Sequence, residues 1–167
     1  MPGKTGRKSK LAATIAFLLA LAIWLVRESR HEPALLPEGE WRMVLRVVDG
    51  DTLILDGEER VRLIGVDTPE SVDPRRPVEA FGKEAAAFTR RLAEGKRVHL
   101  AYDQQRTDRY GRTLAYVYLE DGTFLNAEII RQGYGHAYTR FPFAYAEQFL
   151  QLEREARAAR RGLWAEQ

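Results

Sequence analysis

Two Asp-Gly dipeptides, Asp49-Gly50 and Asp56-Gly57, punctuate a series of short β-type runs and constrain how this chain can begin to fold. Glycine accepts positive φ at no steric cost, so Asp-Gly between apolar stretches signals a tight hairpin. Residues 42–48, 52–55 and 60–66 therefore read as three strands of an antiparallel meander. Residues 71–77 (SVDPRRP) interrupt all periodicity and read as a loop. Val78, Phe81, Ala85, Phe88 and Leu92 then recur at steps of three and four, which is one face of a helix, and Gly95 ends it. Residues 97–102 and 113–119 read as two more strands around the polar loop DQQRTDRYGR. Leu125, Ile129 and Ile130 mark a short helix stopped by Gly133. Phe149, Leu152, Ala156 and Ala159 mark a last one, broken by Gly162 before Trp164. Five strands, with helices after the third and at the end, predict an α+β domain built on a five-stranded OB-type barrel with about three helices.

The first 26 residues stand apart from that domain. Lys4, Arg7, Lys8 and Lys10 precede an unbroken apolar stretch at 11–26. Ala20-Leu21-Ala22 offers a signal-peptidase site, whereas Trp24 followed by Arg27 looks like an interfacial anchor of an uncleaved segment. Sixteen apolar residues lie near the lower limit for a membrane span, roughly 17. The sequence favours an anchor with its basic flank in the cytoplasm and the domain outside; cleavage would give a secreted protein instead. Residues 27–40 are polar with two prolines and read as a linker, leaving 41–167 as the domain.

Global charge says little about partners. The formal net charge is +2, but residues 1–30 hold six of the 26 Lys/Arg and one of the 24 Asp/Glu. That leaves 20 basic and 23 acidic residues, a net of −3, in 31–167. Any electropositive site must be local. The absence of cysteine excludes disulfides, thiol catalysis and thiolate metal sites.

Five charged residues in three short segments carry the chemistry: Asp51 in VVDGDTLIL, Arg62, Asp67 and Glu70 in RLIGVDTPE, and Arg112 closing RTDRYGR. Carboxylates bind a hard cation and handle an attacking water, while guanidinium forks grip phosphate oxygens. Alternation along residues 62–67 sends Arg62 and Asp67 off one strand on different faces or from different ends. Thr68-Pro69 then turns the chain, and Glu70 swings back towards Asp67. On the local motif alone Asp51 is better explained by turn chemistry, and Asp49 is the stronger candidate for a turn-only role. Arg106 and Arg109 read as surface charge or as ion-pair partners of Asp103 or Asp108. Tyr110, close before Arg112, and Tyr138, after a glycine-rich turn, are candidates for stacking on bases. Tyr116 and Tyr118 read as core, His99 as a strand residue, His136 as a rim residue and His31 as part of the linker.

VDGDTLIL, RLIGVDTPE, RTDRYGRTLAYVY and IIRQGYGHAY, in that order, closely resemble the staphylococcal-nuclease-like (thermonuclease) family over residues 43–164. The resemblance implies a five-stranded OB-type barrel with three helices and calcium-dependent hydrolysis of DNA and RNA by a monomer. It implies Asp51, Asp67 and the Thr68 carbonyl as calcium ligands, and Glu70 as general base or water-orienting group. Arg62 and Arg112 become phosphate clamps, Tyr110 and Tyr138 line the nucleotide pocket, and Arg109 is carried as a further phosphate contact. One departure stands out: where the family has a second pocket tyrosine shortly after Tyr138, this chain has TRFPFAY, with Arg140 and Phe141. The rival expectation is a non-catalytic OB module that binds single-stranded nucleic acid or a protein; a membrane-attached scaffold rests on the N-terminal segment alone.

Overall fold

The computed structural model describes residues 36–70 and 81–165, so the apolar segment at 11–26 and the loop at 71–77 lie outside the described residues. Among the described residues, no helix is long and apolar enough to cross a membrane. In chain order the elements are β1 (Gly39–Asp49), β2 (Thr52–Leu55), β3 (Arg60–Leu63), β4 (Val66–Asp67), α1 (Gly82–Ala93), β5 (Arg97–Ala101), β6 (Thr113–Leu119), α2 (Leu125–Arg131), β7 (His136–Ala137) and α3 (Ala146–Ala158).

The expected meander forms, with Val47 opposite Leu53 across the first turn and Leu53 opposite Val61 across the second. β1 also pairs antiparallel with β5, β5 with β6, and β6 runs parallel to β3, closing a barrel of order β1-β2-β3-β6-β5. Closure leaves these five strands no free edge. Inside lie Val44, Leu53, Leu55, Val61, Leu100 and Val117, all fully buried. Fully burying each such side chain contributes about 1.5–3 kcal/mol. β1 begins at Gly39, paired with Ala101, and so takes in two residues that the sequence assigns to the linker.

The helices pack on the barrel along most of the faces their spacing defines, although Phe81 precedes α1 with φ at +72, Ala159 lies exposed just past α3, and Val78 lies outside the described residues. α1 buries Ala85, Phe88 and Ala93, and Phe88 stacks on Tyr134 with ring centroids 4.1 Å apart. α2 buries Leu125, Ile129 and Ile130, and α3 buries Phe149, Leu152 and Ala156. Asn126 of α2 is also fully buried and fully used. Its Oδ1 accepts from the Val117 N–H at 2.9 Å, and its Nδ2 donates to the carbonyls of Ile64 and Ala115 at 2.9 and 3.2 Å.

One expectation needs correction. Residues 60–66 are not a single strand: β3 stops at Leu63, and Val66–Asp67 leaves the barrel to pair with His136–Ala137 as a separate ribbon. Gly65 makes the break, with φ at +73 and the Phe143 ring filling the space where a Cβ would stand, 2.5 Å from it. VRLIGV looks continuous because its apolar run continues through the kink. The ring that bars a side chain at the kink lies about eighty residues away in sequence, at Phe143.

Candidate active site

The first wall of the site is the turn from Asp49 to Asp51. Gly50 lies so close to Thr68 that a Cβ would fall 2.7 Å from its side chain, so only glycine lets the two segments touch. From the other side, the buried Thr89 hydroxyl of α1 donates to the Gly50 carbonyl at 2.7 Å. Asp51 is thereby held inside, 3% exposed, and its backbone carbonyl accepts from the Leu63 N–H at 2.9 Å. Its Oδ2 accepts from the Thr68 N–H and hydroxyl at 2.9 and 3.1 Å, and its Oδ1 accepts from the Thr52 hydroxyl at 3.1 Å.

Arg62 projects from β3 into this acidic corner. One arm of its fork, Nη1, meets Asp51 Oδ1, and the other, Nη2, donates to Asp67 Oδ1 at 3.0 Å. The Gly65 kink makes the second contact possible, because it carries Asp67 off the barrel and back across Arg62. Glu70 follows the Thr68-Pro69 turn, and its backbone carbonyl packs on Gly82 at the start of α1, where a Cβ would lie 2.6 Å away.

The second wall is the loop between β5 and β6. Asp108 organises it, accepting from the backbone N–H groups of Tyr110 and Arg112 at 2.8 and 3.0 Å and from Arg112 Nε at 2.6 Å. The Asp108 carboxyl would be raised by burial, but the hydrogen bonds from the Arg112 side chain and from these N–H groups outweigh it and hold it below the ordinary carboxylate range. Between the walls lies a cavity of about 370 Å³ lined by Asp49, Asp51, Arg62, Asp67, Thr68, Pro69, Glu70 and Arg112. All five charged residues singled out in the sequence meet there.

Asp49 is the residue the sequence reading missed. It lines the cavity rather than merely completing a turn, while still accepting the Asp51 N–H at 3.1 Å. Burial pushes its carboxyl up, and the Arg62 charge works against that rise. The lining thus carries four carboxylates against two guanidiniums, a formal −2. Among the described residues, no three Asp, Glu or His side chains stand together as a ready cation cage. The donors are nonetheless all oxygens with a surplus of negative charge in a partly buried pocket, which fits a hard divalent cation.

A family model described as staphylococcal nuclease homologue matches residues 60–166. The thermonuclease of Staphylococcus hyicus is 43% identical over 126 residues, 73% of this chain and 74% of that protein. The chain belongs to the staphylococcal nuclease homologue family. The thermonuclease of Staphylococcus intermedius is 45% identical over 130 residues, 75% of this chain and 77% of its own. Endonuclease YncB of Bacillus subtilis is 35% identical over 126 residues, 72% of this chain and 59% of its own.

Not every candidate of this staphylococcal nuclease homologue reaches the cavity. Tyr110 is 68% exposed and stands outside the lining, with the guanidiniums of Arg109 and Arg112 at 4.7 and 5.6 Å from its ring centroid. Arg109 is exposed and donates to the Tyr110 hydroxyl. Tyr138 is tied through its N–H to the Gly65 carbonyl at 2.9 Å, with its ring 6.1 Å from that of the exposed Phe141. Of the two readings of Arg106 and Arg109, surface charge holds, both being exposed, and the ion pair with Asp103 or Asp108 does not form. Arg112 takes Asp108, the Tyr116 hydroxyl takes Asp103, and Arg106 sits over the Tyr102 ring at 4.1 Å. Loop sequence alone offers no way to choose among three arginines for one aspartate; the backbone turn around Asp108 decides it.

Proposed function

We propose that this staphylococcal nuclease homologue is a calcium-dependent nuclease that hydrolyses phosphodiester bonds of DNA and RNA with broad sequence tolerance, outside the cytoplasm. The observation that carries this reading is the single cavity gathering Asp51, Asp67, Glu70, Arg62 and Arg112. The thermonucleases and the endonuclease it resembles supply the reaction class.

Hydrolysis of a phosphodiester brings a fifth oxygen to phosphorus and builds charge on the non-bridging oxygens. Arg62 and Arg112 present planar forks that donate paired hydrogen bonds to those oxygens as the charge grows. Lysine would supply charge without the fork. Glu70 orients the attacking water and accepts its proton. Asp51, Asp67 and the Thr68 carbonyl would hold calcium, which when bound polarises a phosphoryl oxygen and makes a bound water more acidic. Tyr110 and Tyr138 offer ring faces that stack on bases irrespective of sequence, and Arg109 adds a peripheral phosphate contact.

The same reading has the protein acting as a monomer. The basic flank and apolar stretch at 11–26 support a domain held on the outer face of a membrane, or secreted if that stretch is removed. A module that only binds nucleic acid is the poorer reading, because four carboxylates facing a phosphate repel it unless a cation intervenes. The test is degradation of plasmid DNA and of RNA by the full-length protein with calcium, then with excess chelator. Both polymers should be cut, and the chelator should stop it. Undiminished cleavage in chelator would overturn the calcium assignment. Binding without cleavage under any divalent cation would favour the module.

A further inference from the structure

We propose that Arg62 competes with calcium for Asp51 and Asp67, serving as their counter-ion in the cation-free protein and exchanging to the substrate phosphate when the cation binds. This rests on the calcium reading of the site and assigns a way in which that site is regulated.

The geometry is specific to one guanidinium. The Arg62 fork spans the two carboxylates proposed as ligands, Nη1 on Asp51 and Nη2 at 3.0 Å from Asp67. An ionised carboxylate has about four lone-pair sites. At Asp51 the Thr52 hydroxyl, the Thr68 N–H, the Thr68 hydroxyl and Arg62 occupy them. A cation can therefore bind Asp51 only where one of these partners yields. The Thr68 N–H is fixed backbone, and the two hydroxyls sit on short side chains locked by Gly50 and the β2 register. Arg62 alone is on a long flexible stem.

Arg62 is 16% exposed, so once it leaves the carboxylates it does not simply enter water. A buried guanidinium without an anion is costly. The same cavity receives the Arg112 fork from the opposite wall, and a phosphate between the two walls is the anion both forks fit. Arg112 differs in the respect that matters. Its own partner, Asp108, lies outside the cavity lining, so Arg112 does not occupy a proposed ligand. Exchange thus makes the cation affinity of the free protein depend on how often Arg62 is off its carboxylates, and Arg112 has no such effect.

Calorimetric titration of calcium into the full-length protein, without nucleic acid, separates this exchange from plain charge repulsion. Wild type is compared with Arg62→Gln and Arg112→Gln, each of which removes one positive charge from the same lining. If Arg62 leaves the carboxylates accessible about a tenth of the time or less, Arg62→Gln binds calcium about tenfold tighter or more. Arg112→Gln should stay within about threefold of wild type, the effect expected of a screened charge that occupies no ligand. A second measurement needs no variant to fold: the side-chain ¹⁵N–H signals of Arg62 in the wild-type protein should shift and broaden as calcium saturates, as the bridge is released. Equal affinities in all three proteins, or Arg62 signals unmoved at saturation, would overturn the exchange and leave the calcium reading intact. Calcium binding to none of the three would overturn both.

Discussion

The two walls of the cavity hold their arginines in opposite ways. Arg62 projects from a barrel strand whose neighbours Val61 and Leu63 are buried in the core, and it is pinned among Asp51, Asp67 and the nearby Asp49. Arg112 closes a loop held by the Asp108 carboxylate and by local backbone bonds, such as Leu114 N–H to the Arg106 carbonyl at 2.9 Å. The acidic wall is thus continuous with the core, and a change there disturbs fold and site together. The arginine loop is a local device that can be altered with the barrel left intact.

The largest expected effect tests that contrast directly. Arg62→Lys and Arg112→Lys should each lower the cleavage rate by orders of magnitude, since one contact that stabilises transition-state charge is worth roughly 3 kcal/mol. Arg62→Lys should shift the thermal midpoint further than Arg112→Lys does, because it unpairs the buried Asp51 carboxylate, whereas Arg112→Lys loosens only the partner of Asp108 in its own loop. Equal midpoints for the two variants would show that the walls are not different in kind.

Gly65→Ala comes next. It forces a Cβ into the Phe143 ring at 2.5 Å on a backbone with φ at +73. Strain and overpacking together should destabilise by about 2–4 kcal/mol. Gly95→Ala is the matched control, with φ at +70 but nothing within 4 Å, and should cost only about 1 kcal/mol. Chemical denaturation of both variants checks the pair.

These residues also show what could be read in the sequence. The meander, the helix faces and the five charged residues were legible because each depends on local spacing: Asp-Gly turns, steps of three and four, and short charged motifs. The Gly65 kink was not, since the ring packed against it, Phe143, comes from far along the chain. Asp49 was hidden for a different reason. Turn chemistry accounts for an aspartate before Gly50, and only the packing of Gly50 on Thr68 and Thr89 shows that the turn faces the cavity. The partner of Arg112 was equally out of reach, because the hydrogen bonds that choose Asp108 are set by the turn between them.

Smaller, and opposite in sign between the walls, is the response to pH in the absence of calcium. Asp49 is raised above its ordinary 3.8, chiefly by burial, so its contribution is favourable below 3.8 and is lost as pH rises through the raised value. Asp49→Asn should therefore stabilise at neutral pH, with the gain shrinking on acidification. Asp108 is lowered from 3.8, so its contribution is present above 3.8 and is lost as pH falls through the lowered value. Asp108→Asn should destabilise at neutral pH, with the loss fading in acid. Thermal midpoints of the two variants against pH should therefore run in opposite directions. Smallest of all is Arg109→Ala, which should change cleavage by no more than about threefold, the scale of an exposed ionic contact. A loss matching that of Arg112 variants would mean the loop presents a different arginine to the substrate.

Whether the bond is broken in the cavity between the two walls is tested most directly by Glu70→Gln. Single-turnover cleavage of a short single-stranded DNA, at saturating calcium and neutral pH, should fall by about a hundredfold or more. Cleavage at the wild-type rate would contradict the assignment of Glu70 as base and place the chemistry elsewhere.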